Sequence, residues 1–186
     1  MNIGFAMCGS FCTYEAAFKA MEVLAKEHTV IPIFSYSSQT VDSRFGTVED
    51  HLRRAEEICG RKVITTIGEA EPIGPKKLLD ILVIAPCTGN TLAKLAHSIA
   101  DGPVTMAAKS HLRNGRPILL AISTNDALAG AAENLGKLLG RKHYYFVPFG
   151  QDDALAKPCS MVADFAQIPQ ALELALEGKQ IEPLLL

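Results

Sequence analysis

Residues 81–96 read ILVIAPCTGNTLAKLA, and this stretch decides the fold. Ile81–Ala85 is an apolar run without alternation, the pattern of a strand covered on both faces. Pro86-Cys87-Thr88-Gly89 breaks the run. Leu92, Leu95, Ala96 and Ile99 then return at helical spacing across residues 89–99. A buried strand, a tight turn and an amphipathic helix make most of a βαβ unit, which builds a parallel sheet through a right-handed crossover.

The same grammar repeats on both sides. Residues 2–8 (NIGFAMC) form a buried strand bounded by Gly9-Ser10. Residues 14–28 carry an apolar stripe of Ala17, Phe18, Met21, Val23, Leu24 and Ala25, with Glu15, Lys19, Glu22, Lys26 and Glu27 mostly opposite. Residues 30–35 (VIPIFS) form a second strand, in which Pro32 is awkward for a central position. Residues 36–48 are polar and turn-rich, a loop. Residues 49–59 form an exposed helix ended by Gly60, and 63–67 (VITTI) a short strand. A Pro/Gly segment leads to a short helix with Lys76, Lys77 and Leu78. Beyond the central unit, the pattern predicts a helix at 104–112, a strand at 117–122 and a helix at 126–139. A strand at 144–147 and a helix at 161–176 complete the chain. The sum is one α/β domain over residues 1–186, a three-layer α/β/α sandwich around a mostly parallel Rossmann/flavodoxin-like sheet.

Composition bounds the function. At 186 residues the chain is of one-domain size, and 48% hydrophobic against 20% charged residues suits a full core. A net charge of −2 argues against nucleic acid as a partner, since such proteins show a basic footprint. The cysteines, Cys8, Cys12, Cys59, Cys87 and Cys159, are odd in number and form no C-x-x-C pair. With no basic leader ahead of the apolar start, reduced thiols in a cytoplasmic protein are expected. The apolar runs are strand-length, far short of the roughly 18 residues of a membrane span. The apolar tail after Gly178 (KQIEPLLL) favours an oligomer.

Ligands of open parallel sheets bind beyond the carboxyl ends of the strands. Those ends deliver Gly9-Ser10-Phe11-Cys12-Thr13, Ser35-Tyr36-Ser37-Ser38, Pro86 through Thr91, and Ser123-Thr124-Asn125. They hold no carboxylate pair, no metal-ligand spacing and no Ser-His-Asp set, so no metal is expected. Backbone N–H groups, hydroxyls and a helix amino terminus suit a phosphate without needing Lys or Arg. The same residues also serve as plain turns and N-caps. The first loop lacks the G-x-G-x-x-G spacing of a dinucleotide site.

Residues 81–113 resemble the homo-oligomeric flavin-containing cysteine decarboxylase superfamily. Its Pro-Ala-Ser-Ala-Asn-Thr loop corresponds to Pro86-Cys87-Thr88-Gly89-Asn90-Thr91, followed by Ala93-Lys94-Leu95-Ala96 and Asp101. Gly9-Ser10 with Tyr14 is similar to the family's first loop, and Ser35 to its hydroxyl after the second strand. The resemblance implies FMN bound between the protomers of a trimer or dodecamer. It implies that Gly9, Ser10 and Ser35 hold the phosphate, and that Pro86, Thr88, Asn90, Thr91 and Asn125 lie at the flavin, with Asn90 toward the ring or substrate. The superfamily's His before the central strand is absent from GEAEPIGPKK (68–77), and its Pro-x-Met-Asn reads Ile122-Ser123-Thr124-Asn125. Both departures count against cysteine decarboxylation. Another FMN enzyme of the superfamily, or a scaffold without flavin, are the alternatives.

A narrower resemblance rests on NIGFAMCGSFCT, APCTGNTLAKLA and the loop Thr40-Val41-Asp42-Ser43-Arg44-Phe45-Gly46. It is to the flavoprotein components of two-component enzymes that form an aromatic pyridine dicarboxylate in sporulating cells. It implies a separate partner of nicotinamide-binding type, with NADP or NAD held there. A dicarboxylate needs cationic clamps, and arginine suits bidentate recognition. Arg44 is the first candidate, with Asn90 beside it; Arg53, Arg54 and Lys109 are weaker ones. His51 is expected on an exposed helix surface, and His97, His111 and His143 as structural or exposed. Cys8, Cys12 and Cys87 are expected as packing residues.

Overall fold

The computed structural model describes all of residues 1–186. Strands β1 (Asn2–Met7), β2 (Thr29–Phe34), β3 (Ile81–Cys87), β4 (Ile118–Thr124) and β5 (Tyr144–Phe146) run parallel. Their order across the sheet is β2-β1-β3-β4-β5, the flavodoxin-like arrangement. Where β5 stops, a hairpin takes over the edge: β7 (Met161–Ala163) pairs antiparallel with the end of β4, and β6 (Phe149–Gly150) with β7.

Helices cover both faces, which is why the central strands are apolar throughout. Helices α1 (Tyr14–Ala25) and α8 (Ile168–Leu176) pack on one face. Helices α5 (Gly89–Ala96), α6 (Pro103–Leu112) and α7 (Ala132–Leu139) cover the other. Helix α3 (Val48–Cys59) leans on α1 and β2, and ends at Gly60 in the left-handed region (φ +64°). Two short helices, α2 (Tyr36–Thr40) and α4 (Ile67–Ala70), fill connections. No helix is long and apolar enough to cross a membrane.

Pro32 finds its place because β2 is the outer strand. Its carbonyl accepts from the Ile64 N–H at 2.8 Å, and Phe34 N–H donates to the Ile64 carbonyl at 3.0 Å. Backbone groups of residues 32 and 34 point to the same side of the strand, so the N–H that proline lacks faces away from β1. Pro86 acts similarly in β3: the β3–β4 register shifts between Ile84 and Cys87, where proline cannot donate to the ladder.

Five expected elements are corrected. Residues 36–48 are not all loop, because the Ser35 hydroxyl caps a helical turn by accepting from Ser38 N–H. Residues 63–67 contribute only an isolated bridge at Ile64, since Thr66 and Glu69 form a capping box that starts α4. No helix forms at Lys76–Leu78; Lys77 has a positive φ of 50° in a turn. The helices expected at 126–139 and 161–176 begin later, at Ala132 and Ile168. Residues 126–131 make turns closed by the Asp126 carbonyl, and Met161–Ala163 is drawn into the sheet by β4.

His111 on α6 is buried, with Nε2–H donating to the Pro117 carbonyl at 3.0 Å. Burial pushes its pKa down to about 4 from the ordinary 6.5. Between those values the unfolded chain takes up a proton that the native ring refuses, so stability falls as pH drops through that window and is level above it. Chemical denaturation of His111→Gln, followed from neutral pH down to about 4, is expected to show a shallower acid loss than the parent. Ile84 is fully buried in β3 between both helical layers. Ile84→Ala is expected to lower unfolding free energy by about 2–5 kcal/mol through the cavity it leaves, read by urea denaturation.

Candidate functional site

Crossovers leave β1 and β3 in opposite directions, one toward β2 and the other toward β4, so their carboxyl ends open a crevice. The first loop, the Thr88 loop and the β4 end converge there on a cleft of about 750 Å³. Gly9, Ser10, Thr88, Asn90 and Asn125 line it together with Arg44. A smaller recess of about 160 Å³ adjoins it across Asn90, lined by Ser35, Ser37, Thr91 and Lys94 among others. Eight of the nine residues expected from sequence thus border one of two adjoining spaces. Pro86 does not: it is buried within β3, behind Cys87 and Thr88.

Local chemistry sets each position. Thr88 is the N-cap of α5, its hydroxyl accepting from Thr91 N–H at 3.3 Å. The Thr91 hydroxyl donates to Cys8 Sγ at 3.3 Å and so fastens this loop to the first one. A Cβ on Gly9 would stand 3.2 Å from Ser37 Oγ, so glycine permits the close approach of the first and second loops. Ser35 Oγ lies 3.2 Å from Ser37 Oγ and 2.8 Å from Ser38 Oγ, and Ser38 donates to the Met7 carbonyl at 3.0 Å. Gly89 sits more tightly still: a Cβ there would be 2.7 Å from Asp126 Oδ1 and 2.8 Å from Thr124 Oγ1. The Ser10 and Ser123 hydroxyls lie 2.7 Å apart and tie the first loop to β4. A ring of hydroxyls from four strand ends results, with the Asp126 carboxylate beside it accepting from the Thr124 hydroxyl at 2.6 Å.

At the rim, the Arg44 guanidinium lies 4.8 Å over the Phe45 ring and has no carboxylate partner. Lys157 enters from the far side, paired with Asp152 at 2.9 Å. The other arginine candidates are engaged elsewhere: Arg53 with Asp50 at 2.6 Å, Arg54 with Glu15 at 2.7 Å and Glu22 at 3.1 Å. Lys109 lies outside this cleft altogether. Asp126, Lys157 and Ser160 also line the cleft, and sequence reasoning did not select them. Asp126 had a signal, its place just after β4. Lys157 and Ser160 had none, because only the β6–β7 hairpin folds their loop back to the site.

Burial raises the Cys8 thiol to about 11 and holds Cys87 well above its ordinary value, so both are neutral packing groups. Cys12 is instead exposed at the rim, 3.8 Å from Ser10 Oγ.

His51 is not on the surface. Its ring is buried among Phe11, Tyr14 and Phe18, with the Tyr14 centroid 4.7 Å away. Nε2–H donates to the Phe45 carbonyl at 3.3 Å, and Nδ1 has no partner, as is also true of the buried Tyr14 hydroxyl. Gly46, at φ +135°, presses its backbone against this ring. The Arg44 loop is therefore pinned to α3 by a histidine and to the first loop through Phe11. The sequence of α3 hides this, because one histidine among charged residues reads as solvated.

The family model described as Flavoprotein matches residues 1–145, and the chain belongs to the flavoprotein family. Within that family it is similar to the B subunit of dipicolinate synthase from Bacillus subtilis (strain 168): 45% identical over 185 residues, covering 99% of this chain and 92% of that one. The crystal structure of the corresponding B subunit from Bacillus halodurans superposes with a TM-score of 0.91 at 41% identity, over 100% of this chain and 95% of that one. The FMN-dependent cysteine decarboxylase SpaF shares the fold, at a TM-score of 0.71 and 22% identity over 94% and 97% of the two chains.

Gly46→Ala would bring a Cβ to 2.6 Å of His51 Nε2 at a φ that side chains avoid. We expect it to displace the Arg44 loop and destabilise the protein by about 1–3 kcal/mol, read as a lower urea midpoint with unchanged slope. His51→Phe, which keeps the ring packing but loses the Phe45 hydrogen bond, is expected to cost about 0.5–1.5 kcal/mol by the same measurement.

Proposed function

We propose that this chain is the flavoprotein component of a dipicolinate synthase. Together with a nicotinamide-binding A subunit, it converts a dihydro- or hydroxytetrahydrodipicolinate to dipicolinate during sporulation, in the mother-cell cytoplasm. The observation that carries the reading is the hydroxyl-lined cleft with one unpaired guanidinium on its rim. Similarity to two B subunits at 45% and 41% identity supports it.

The residues present fit FMN. Gly9 and the Ser35–Ser37–Ser38 hydroxyl cluster form a cradle that a Cβ at position 9 would fill, and Ser10 adds a further donor. Ser35, Ser10 and the Gly9 backbone would hold the phosphate, with Lys94 at the edge of the recess. Thr88, Asn90, Thr91 and Asn125 would face the ring system, whose N and O edges need such polar atoms. Pro86 would contribute by setting the course of β3 into Thr88. When bound, FMN supplies a two-electron acceptor; NADP or NAD on the partner is the other acceptor available to the complex.

The chain's own part is recognition. The dihydro form becomes aromatic by losing a hydride to the acceptor and a proton to solvent, the hydroxytetrahydro form after first losing water, and neither change requires a protein nucleophile. Arg44 takes one substrate carboxylate bidentately, and Asn90 orients the ring by hydrogen bonds. The loop 151–160 forms the opposite wall. Leu155 on that loop is 97% exposed, leaving an apolar contact for the nicotinamide-binding partner or for neighbouring copies in a trimer or dodecamer.

Two measurements test the reading. Native protein is expected to carry or take up FMN with the visible flavin spectrum, and Asn90→Asp to bind it roughly 10-fold more weakly, because a carboxylate repels electron-rich ring atoms. A colourless protein that refuses FMN overturns the flavin assignment. With the partner present, Arg44→Ala is expected to raise the substrate KM roughly 10–100-fold with kcat little changed, the loss of a charged hydrogen bond. Unchanged KM removes Arg44 from the site.

A further inference from the structure

A second cavity, of about 320 Å³, opens between the carboxyl ends of α5 and α6 and the start of β5. Most of its lining lies toward the amino end of the sheet; it shares no lining residue with the cleft and one, Thr105, with the smaller recess. Leu95, Ala108 and Leu112 give it an apolar interior.

Its formal charges are all of one sign. Lys109, Arg141 and Lys142 line it, with His143 beside them, and no aspartate or glutamate does. In a chain of net charge −2 this is a local reversal. Arg141 has a structural duty: it donates to the carbonyls of Leu95 at 3.1 Å and Ala96 at 2.7 Å, closing the end of α5. Lys109, Lys142 and His143 have none; they make no ion pair and no side-chain hydrogen bond. Backbone strain gathers at the same place. Ser98 (φ +58°) and His143 (φ +70°) both line the cavity and are two of the three non-glycine residues with positive φ. Such conformations persist where the surrounding structure enforces them.

An apolar chamber with unpaired cations at its mouth matches a ligand with an apolar body and an anionic head. We propose that this cavity is a second binding site, for a small aromatic or branched aliphatic carboxylate. The ring or alkyl group would lie on Leu95 and Leu112, and the carboxylate between Lys109 and Lys142. The inference is independent of what the cleft binds.

The test uses 2-naphthoate as probe and titrates the full chain calorimetrically. One saturable equivalent is expected, weakened 10-fold or more in Lys109→Ala/Lys142→Ala. Both lysines are on the surface, and a circular dichroism spectrum matching the parent establishes that the variant is folded. The uncharged 2-naphthalenemethanol is expected to bind at least 10-fold more weakly than the naphthoate. Arg44→Ala and saturation with FMN are expected to leave naphthoate binding unchanged, which separates this site from the cleft. No saturable binding, equal affinity in the double lysine variant, equal affinity for the alcohol, or competition by FMN would each overturn the proposal.

Discussion

Everything in this molecule depends on the pairing of β1 with β3 as parallel, fully sandwiched neighbours. Side chains in these strands face helices on both sides, so polar groups are expelled from them and collect at the strand ends. The crossovers then diverge, toward β2 on one side and β4 on the other, and the divergence leaves the carboxyl ends uncovered. The cleft is the necessary consequence of that topology. Apolar burial in the strands and polar density at their ends are two aspects of one constraint.

The site built on this constraint offers dipoles rather than buried cations. Hydroxyls of Ser10, Ser35, Ser37 and Thr88, backbone N–H groups and the amino end of α5 supply partial positive charge without a buried cation. Of the formal charges, Asp126 lies against Gly89 at the start of α5, while Arg44, Asp152 and Lys157 come from the two flanking loops. Two cysteines buried beneath the loops are held neutral by desolvation and act as small packing groups. The Arg44 loop, by contrast, leans on a histidine with one unsatisfied nitrogen, so its placement depends in part on aromatic packing around His51.

Thr66 and Glu69 stand at capping-box spacing, yet β-branched VITTI reads first as a strand; the local cap prevails because only Ile64 finds a partner. Pro169 at the start of α8 marks where that helix must begin, but the apolar run from Met161 obscures it. Met161–Ala163 becomes a strand only because β4 outlasts β5 and offers a free edge. That edge is a property of the assembled sheet, invisible in any local window.

The amino-acid sequence alone determined the α/β class, the parallel sheet, the strand-end loops and most of the residues around the cleft. These follow from hydrophobic period and from glycine, hydroxyl and proline placement, which act over a few residues. Tertiary structure alone decided that His51 is buried, that Lys157 and Ser160 reach the cleft, and that Lys109 belongs to a different cavity. Those outcomes turn on contacts between segments far apart in the chain. Which of several equally polar side chains meets which is settled by packing, and no local pattern encodes it.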